Sequence, residues 1–132
     1  ARGIEFVKAF GAFMNELRAC RLFVAHNIEF DAGVLRYELE RRNMRDEVTE
    51  LETLVSQKGF CTMKHTTELC KLPKVGAAAR YPGYKYPRLE ELHQYLTGVA
   101  PTVALHDAAN DVSILKVCTE RLAERLPALR VA

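Results

Sequence analysis

The sequence predicts an α/β layered domain. Two observations carry the prediction: apolar residues recur at helical spacing in several separate segments, and short apolar runs without alternation lie between them. Gly and Pro punctuate the boundaries, and no internal repeat, low-complexity tract or linker interrupts the 132 residues, a length that suits one domain spanning 1–132.

The first segment, Gly3 to Ala19, reads as a helix with Val7, Phe10, Met14 and Leu17 at helical spacing. Leu22 to Ala25 follows as a short buried strand, covered on both faces. Asn27 is placed to cap a helix from about Glu29 to Arg42. That helix carries two stripes, Phe30–Val34–Tyr37 and Leu35–Leu39, which predicts packing on more than one side. Asn43 is a natural stop. Asp46 to Ser56 is a further helical pattern, with Gly59 past its end.

Phe60 to Met63 is a short candidate strand, and His65 to Leu72 a short helix broken by Pro73. Lys74 to Pro87 reads as an irregular loop. Leu89, Leu92 and Leu96 mark a helix ended by Gly98. A long helix then runs from about His106 to Leu126, with the stripe Ala108, Val112, Leu115, Cys118 and Leu122.

Bulk properties narrow the function. Of the residues, 48% are hydrophobic and 27% charged, as in a soluble globular protein. The net charge of +2 does not by itself argue for nucleic acid. No stretch approaches the roughly 20 apolar residues of a membrane span. No signal-peptide core precedes the first helix. Cys20, Cys61, Cys70 and Cys118 form no CxxC pair and fall in apolar or helical stretches, which predicts buried reduced thiols and an intracellular protein. Cys61, His65 and Cys70 have no zinc-site spacing.

Two acids stand out by context. Asp31 lies just past the strand Leu22–Ala25, and Asp111 lies on the first turns of the last helix, five residues after His106. Carboxylates so placed converge at the C-terminal edge of an open sheet, where such folds bind ligands. Paired carboxylates suit Mg²⁺ or Mn²⁺, and a two-metal site cleaves phosphodiesters. A histidine beside them is suited to accept a proton from water. Each residue also has a structural alternative: Asp107 and Asp111 complement the helix dipole, His106 and Asn27 cap helices.

The run Ala25-His26-Asn27-Ile28-Glu29-Phe30-Asp31 resembles the second motif of the DEDD exonuclease superfamily, Ala-His-Asn-x-x-Phe-Asp. The run His106-Asp107-Ala108-Ala109-Asn110-Asp111 resembles the third motif of its histidine subgroup, His-x-Ala-x-x-Asp. The order matches, and Lys85 to Leu96 is similar to the helix that precedes the third motif, so the resemblance spans nearly the whole chain. It implies an RNase H-like fold and metal-dependent 3′→5′ exonuclease activity on a single-stranded 3′ end of DNA or RNA. It implies Asp31 and Asp111 as ligands of two Mg²⁺ or Mn²⁺ ions and His106 as general base. His26, Asn27 and Phe30 would shape the site or contact the terminal nucleotides. Asp107 falls on a variable position and receives no catalytic role.

The family's first motif, Asp-x-Glu, finds no match ahead of Asp31. The expectation is therefore a partial domain, lacking the family's first three strands and completed by an N-terminal segment or a partner chain. Two carboxylates in place of four would hold two ions poorly, and the strand Leu22–Ala25 would keep one unpaired edge. The competing expectation is a non-catalytic nucleic-acid-binding or assembly module that has lost the first motif.

From Lys71 to Leu89 the chain has five cations (Lys71, Lys74, Arg80, Lys85, Arg88), no acids, and the interleaved Tyr81, Tyr84 and Tyr86. Cations meet phosphates and tyrosines stack on unpaired bases, so Lys74, Arg80 and Lys85 are candidate substrate contacts. The alternative is a solvated loop. Arg121, Arg125 and Arg130, interrupted by Glu120 and Glu124, read as a solvated helix face.

Overall fold

The computed structural model describes residues 5–130. Among them the fold is mixed α/β and mostly helical: six α-helices and one two-stranded parallel sheet. The elements run α1 (Phe6–Ala19), β1 (Phe23–Ala25), α2 (Ile28–Arg41), α3 (Arg45–Lys58), β2 (Gly59–Cys61), α4 (Thr62–Cys70), α5 (Leu89–Thr97) and α6 (Ala108–Ala123), with short 3₁₀ helices at Gly76–Arg80 and Pro127–Leu129. Gly3 and Ile4, placed in the first helix by the sequence pattern, lie outside the described residues. The chain forms two compact units. One takes the chain up to Val24 together with Ile28–Phe60, and the other takes Ala25–Asn27 and the chain from Cys61 onward.

In the first unit α3 packs against α1 and α2. The core is Phe10, Met14, Leu17, Leu39 and Leu51, with Phe6, Phe13, Phe23 and Leu35 packed against it. Phe10, Met14 and Leu17 follow the expected stripe, whereas Val7 is exposed. The ammonium of Lys58 donates to the carbonyls of Leu17 and Arg18, at 2.8 Å each, so a cation from the last turn of α3 satisfies the open end of α1. Arg18 grips Glu50 through two bonds of 2.8 Å.

Two expectations for this unit change. The stripe Phe30–Val34–Tyr37 does not pack: Phe30 is 66% exposed and Tyr37 62%, and α2 buries Leu39 and Ile28 instead. The strand β1 is half-buried at Phe23 and Val24 rather than covered on both faces, because it belongs to a sheet of two strands. Gly59 follows α3 as expected, but its backbone is extended (φ −70°) and it opens β2. Its bareness has another cause: an added Cβ would collide with the Val55 carbonyl oxygen and lie 2.8 Å from Ile28 Cδ1. Gly59→Ala is expected to cost about 1–3 kcal/mol by overpacking, read as a lowered urea midpoint.

In the second unit α5 packs on α4 and α6, and the 3₁₀ turn Pro127–Leu129 closes on α6. Leu92 is the buried residue of α5, and Gly98 ends that helix in the left-handed conformation, φ 82°. The buried seam of α6 is Ile114–Cys118–Leu122, not the expected stripe through Ala108 and Val112; Val112 is 66% exposed. Positions i, i+4 and i+8 form one ridge, and Val112 falls off it.

The four cysteines are free thiols; Cys61, Cys70 and Cys118 are buried and Cys20 is half-buried. Burial, with Cys70 nearby, pushes the Cys118 thiol up to about 11. Alkylation depends on thiolate and access. Iodoacetamide at pH 8 is expected to label Cys20 first and Cys118 only after unfolding, as read by mass spectrometry of the modified peptides.

Candidate functional site

Residues of both motifs meet in the second unit. His26, Asn27, His106 and Asp111 line one cavity of about 440 Å³, together with Tyr86, Arg88 and Glu90. That volume lies within the range of small-molecule sites.

The local backbone explains how His106 and Asp111 are placed. Asp107 is the N-cap of α6, and its carboxylate accepts from the Asn110 N–H at 3.1 Å. The Asn110 side chain donates to the Ala104 carbonyl at 3.1 Å, tying the preceding loop to the helix. Asp111, in the first turn, reaches back so that its Oδ1 accepts the His106 N–H at 3.2 Å. His106 itself has φ 65°, in the left-handed region. Asn27, at the other wall, has φ 67°. It is therefore not the extended N-cap that the sequence suggested.

The remaining non-glycine residues with positive φ among those described are Asn43 and Lys71, which follow helices α2 and α4. Left-handed residues at helix ends are ordinary. Asn27 and His106 precede helices, and both border one cavity. Such conformations cost about 1–3 kcal/mol and cluster at ligand sites.

His26 does not reach into the cavity as a free donor. Its Nε2 lies 2.7 Å from the Pro87 carbonyl and its Nδ1 2.8 Å from the Thr62 hydroxyl. A carbonyl only accepts, so Nε2 carries the proton, and in the neutral ring Nδ1 accepts from Thr62. Burial holds the His26 pKa below the ordinary histidine value, against the Pro87 carbonyl and the Glu90 charge, which favour the cation. Of the two roles expected of His26, shaping the site or contacting a nucleotide, the geometry describes the first: the ring is a brace that joins the end of β1 to the start of α4 and to the residue before Arg88. Both ring nitrogens are engaged by protein atoms.

Phe30 and Asp31 lie on α2, in the first unit, outside the lining of that cavity. Asp31 keeps an exposed surface, yet partial burial of its carboxyl raises its pKa. Among the described residues no group of three His, Cys, Asp or Glu side chains is arranged to hold a metal ion. The cavity's own acids are Asp111 and Glu90, and Glu90 lies 3.4 Å from the Arg88 guanidinium. Mg²⁺ takes one or two carboxylates and completes its shell with water and substrate phosphates. Asp111 fits one corner of such a shell; the acids of this cavity do not fit two ions.

Glu90 carries no mark in the sequence pattern, since an acid on the first turn of a helix is ordinary, and Arg88 stands there only as one of the five cations of the basic stretch. Glu91, beside them, is a hub. Its Oε1 accepts the Arg88 N–H at 2.8 Å and meets the Lys85 ammonium at 2.9 Å. Burial opposes its charge, but these donors outweigh it and hold the carboxyl below its usual value. Lys85 is therefore committed to Glu91. The Lys74 ammonium donates to the Pro82 carbonyl at 2.8 Å, and no acid pairs with Lys74 or Arg80 among the described residues.

No described helix is long and apolar enough to cross a membrane. Comparison with protein-family models, curated proteins and solved structures gave no match.

Proposed function

We propose that the chain acts on the 3′ end of single-stranded DNA or RNA, as part of a metal-dependent 3′→5′ exonuclease of the histidine subgroup of the DEDD superfamily, with an RNase H-like fold. One observation carries the reading: residues of the two motifs, far apart in sequence, line a single cavity. The placement of His106 and Asp111 there agrees with the roles the resemblance gives them. His106 accepts the proton of the attacking water. Asp111 orients the His106 backbone by accepting its N–H, and its carboxylate would be the ligand that holds a divalent cation, which would stabilise the leaving oxygen. The resemblance alone gives Asp31 the role of a second metal ligand, and unchanged mononucleotide release by Asp31→Ala protein would remove that role.

The reading carries a requirement for Mg²⁺ or Mn²⁺. The decisive experiment follows mononucleotide release from oligonucleotides labelled at either end. The expected result is stepwise shortening from the 3′ end that EDTA abolishes and Mg²⁺ restores. Shortening from the 5′ end, or internal cuts, would refute the assignment.

A second reading, a nucleic-acid-binding module without hydrolysis, is favoured by the lack of a three-ligand group among the described residues. It predicts oligonucleotide binding that is indifferent to EDTA and no mononucleotide release with either cation.

A further inference from the structure

Next to the candidate site lies a second hollow, also within the second unit. It holds about 490 Å³ and is lined by Thr67, Glu68, Lys74, Tyr84 and Tyr86 among others. Tyr86 belongs to the lining of both hollows. It is 57% exposed, and Tyr81 is 67% exposed. A stretch of chain without acids thus presents aromatic faces to solvent beside a cavity that contains His106.

This stretch is built rather than trailing. The Lys85 N–H donates to the Leu72 carbonyl at 3.0 Å, closing the loop at its base. The Lys85–Glu91 pair anchors its exit to α5. Gly76 and Gly83 supply positive φ, and Lys74 holds the Pro82 carbonyl across the loop. An ammonium has three donors, and the Pro82 carbonyl takes one, which leaves charge and donors at the wall of the hollow. Glu68 is the hollow's one acid; it repels a phosphate but accepts from a base amino group.

We propose that this hollow is a subsite for the nucleotide one step inward from the 3′ end. Its base stacks on Tyr86 and its phosphate faces Lys74. The subsite rests on the reading of the neighbouring cavity as the seat of the terminal nucleotide. It selects single strands, because a base reaches the tyrosine face only when unpaired.

The test is binding of fluorescent single-stranded DNA and RNA 12-mers to the protein in EDTA, so that hydrolysis plays no part. Tyr86→Ala is expected to weaken binding about 10-fold or more, and Tyr86→Phe less than about 2-fold. An abasic residue at the penultimate position is expected to reproduce the loss in the natural protein and to add nothing in Tyr86→Ala. An abasic residue six positions further in is expected to have little effect. Lys74→Gln is expected to reduce the salt slope of binding by about 0.7. DNA and RNA arms tell which sugar the subsite takes. Unchanged affinity in Tyr86→Ala, equal losses for abasic residues at both positions, or no binding of either strand overturns the subsite. The exonuclease reading fails separately: a protein that discriminates the penultimate base in EDTA yet releases no mononucleotide with Mg²⁺ keeps the subsite and loses the hydrolysis. A protein that hydrolyses but ignores the penultimate base does the reverse.

Discussion

His106→Asn protein is expected to release mononucleotides about 100- to 10,000-fold more slowly than the natural protein, the range that a positioned general base contributes. Its affinity for a single-stranded oligonucleotide is expected to stay within about 3-fold. Asparagine is the informative replacement because His106 sits at φ 65°. Most L-residues pay about 1–2 kcal/mol for that region and asparagine pays less, so His106→Ala mixes a folding cost with the loss of the base. The hydrogen bond to Asp111 Oδ1 comes from the backbone N–H, and it survives the substitution. Asp111→Asn keeps an amide oxygen for that bond while removing the charge. It is expected to lower release as severely as His106→Asn does, and to weaken the response to Mg²⁺. A His106→Asn protein with undiminished release would remove His106 from the chemistry, whatever the fate of Asp111.

The legibility of these residues follows from distance along the chain. His106 and Asp111 are one helical turn and a cap apart, so a local pattern already brings them together; the structure adds Asp107 as the cap that fixes the turn. Helix α5 was equally local: Leu89, Leu92 and Leu96 followed by a left-handed Gly98. Faces were harder. Val112 and Ile114 are both apolar, and hydrophobicity alone does not tell which one meets α5; packing buries Ile114. The same holds for α2, whose apolar residues outnumber the places its partners provide, leaving Phe30, Val34 and Tyr37 in solvent. The contribution of Glu90 and the commitment of Lys85 to Glu91 depend on how α5 meets the loop before it, which no spacing encodes. The partners of His26 were not legible for the same reason: they stand 36 and 61 residues away in the chain.

Those long-range bonds make His26 the residue outside the chemistry with the largest expected effect. Pro87 is fully buried, and its carbonyl accepts from Nε2 at 2.7 Å. In His26→Ala that carbonyl is left without the donor, at about 1–3 kcal/mol. Thr62 loses less, because its hydroxyl also lies 3.3 Å from the Ala25 carbonyl and turns to it. With the lost ring packing, the total is about 2–4 kcal/mol, read as a fall in the urea midpoint. His26→Gln offers an amide N–H near the place of Nε2 and is expected to recover more than half of it. The pH dependence separates the brace from mere bulk. Burial lowers the His26 pKa in the folded protein, so above the unfolded histidine value, about 6.5, both states are neutral and the brace contributes in full. As pH falls below that value, the unfolded chain takes up a proton that the folded ring resists, and stability drops until the folded pKa is passed. Urea midpoints between pH 8 and pH 5 should therefore fall more steeply for the natural protein than for His26→Gln, and equal slopes would show that His26 is not the titrating brace.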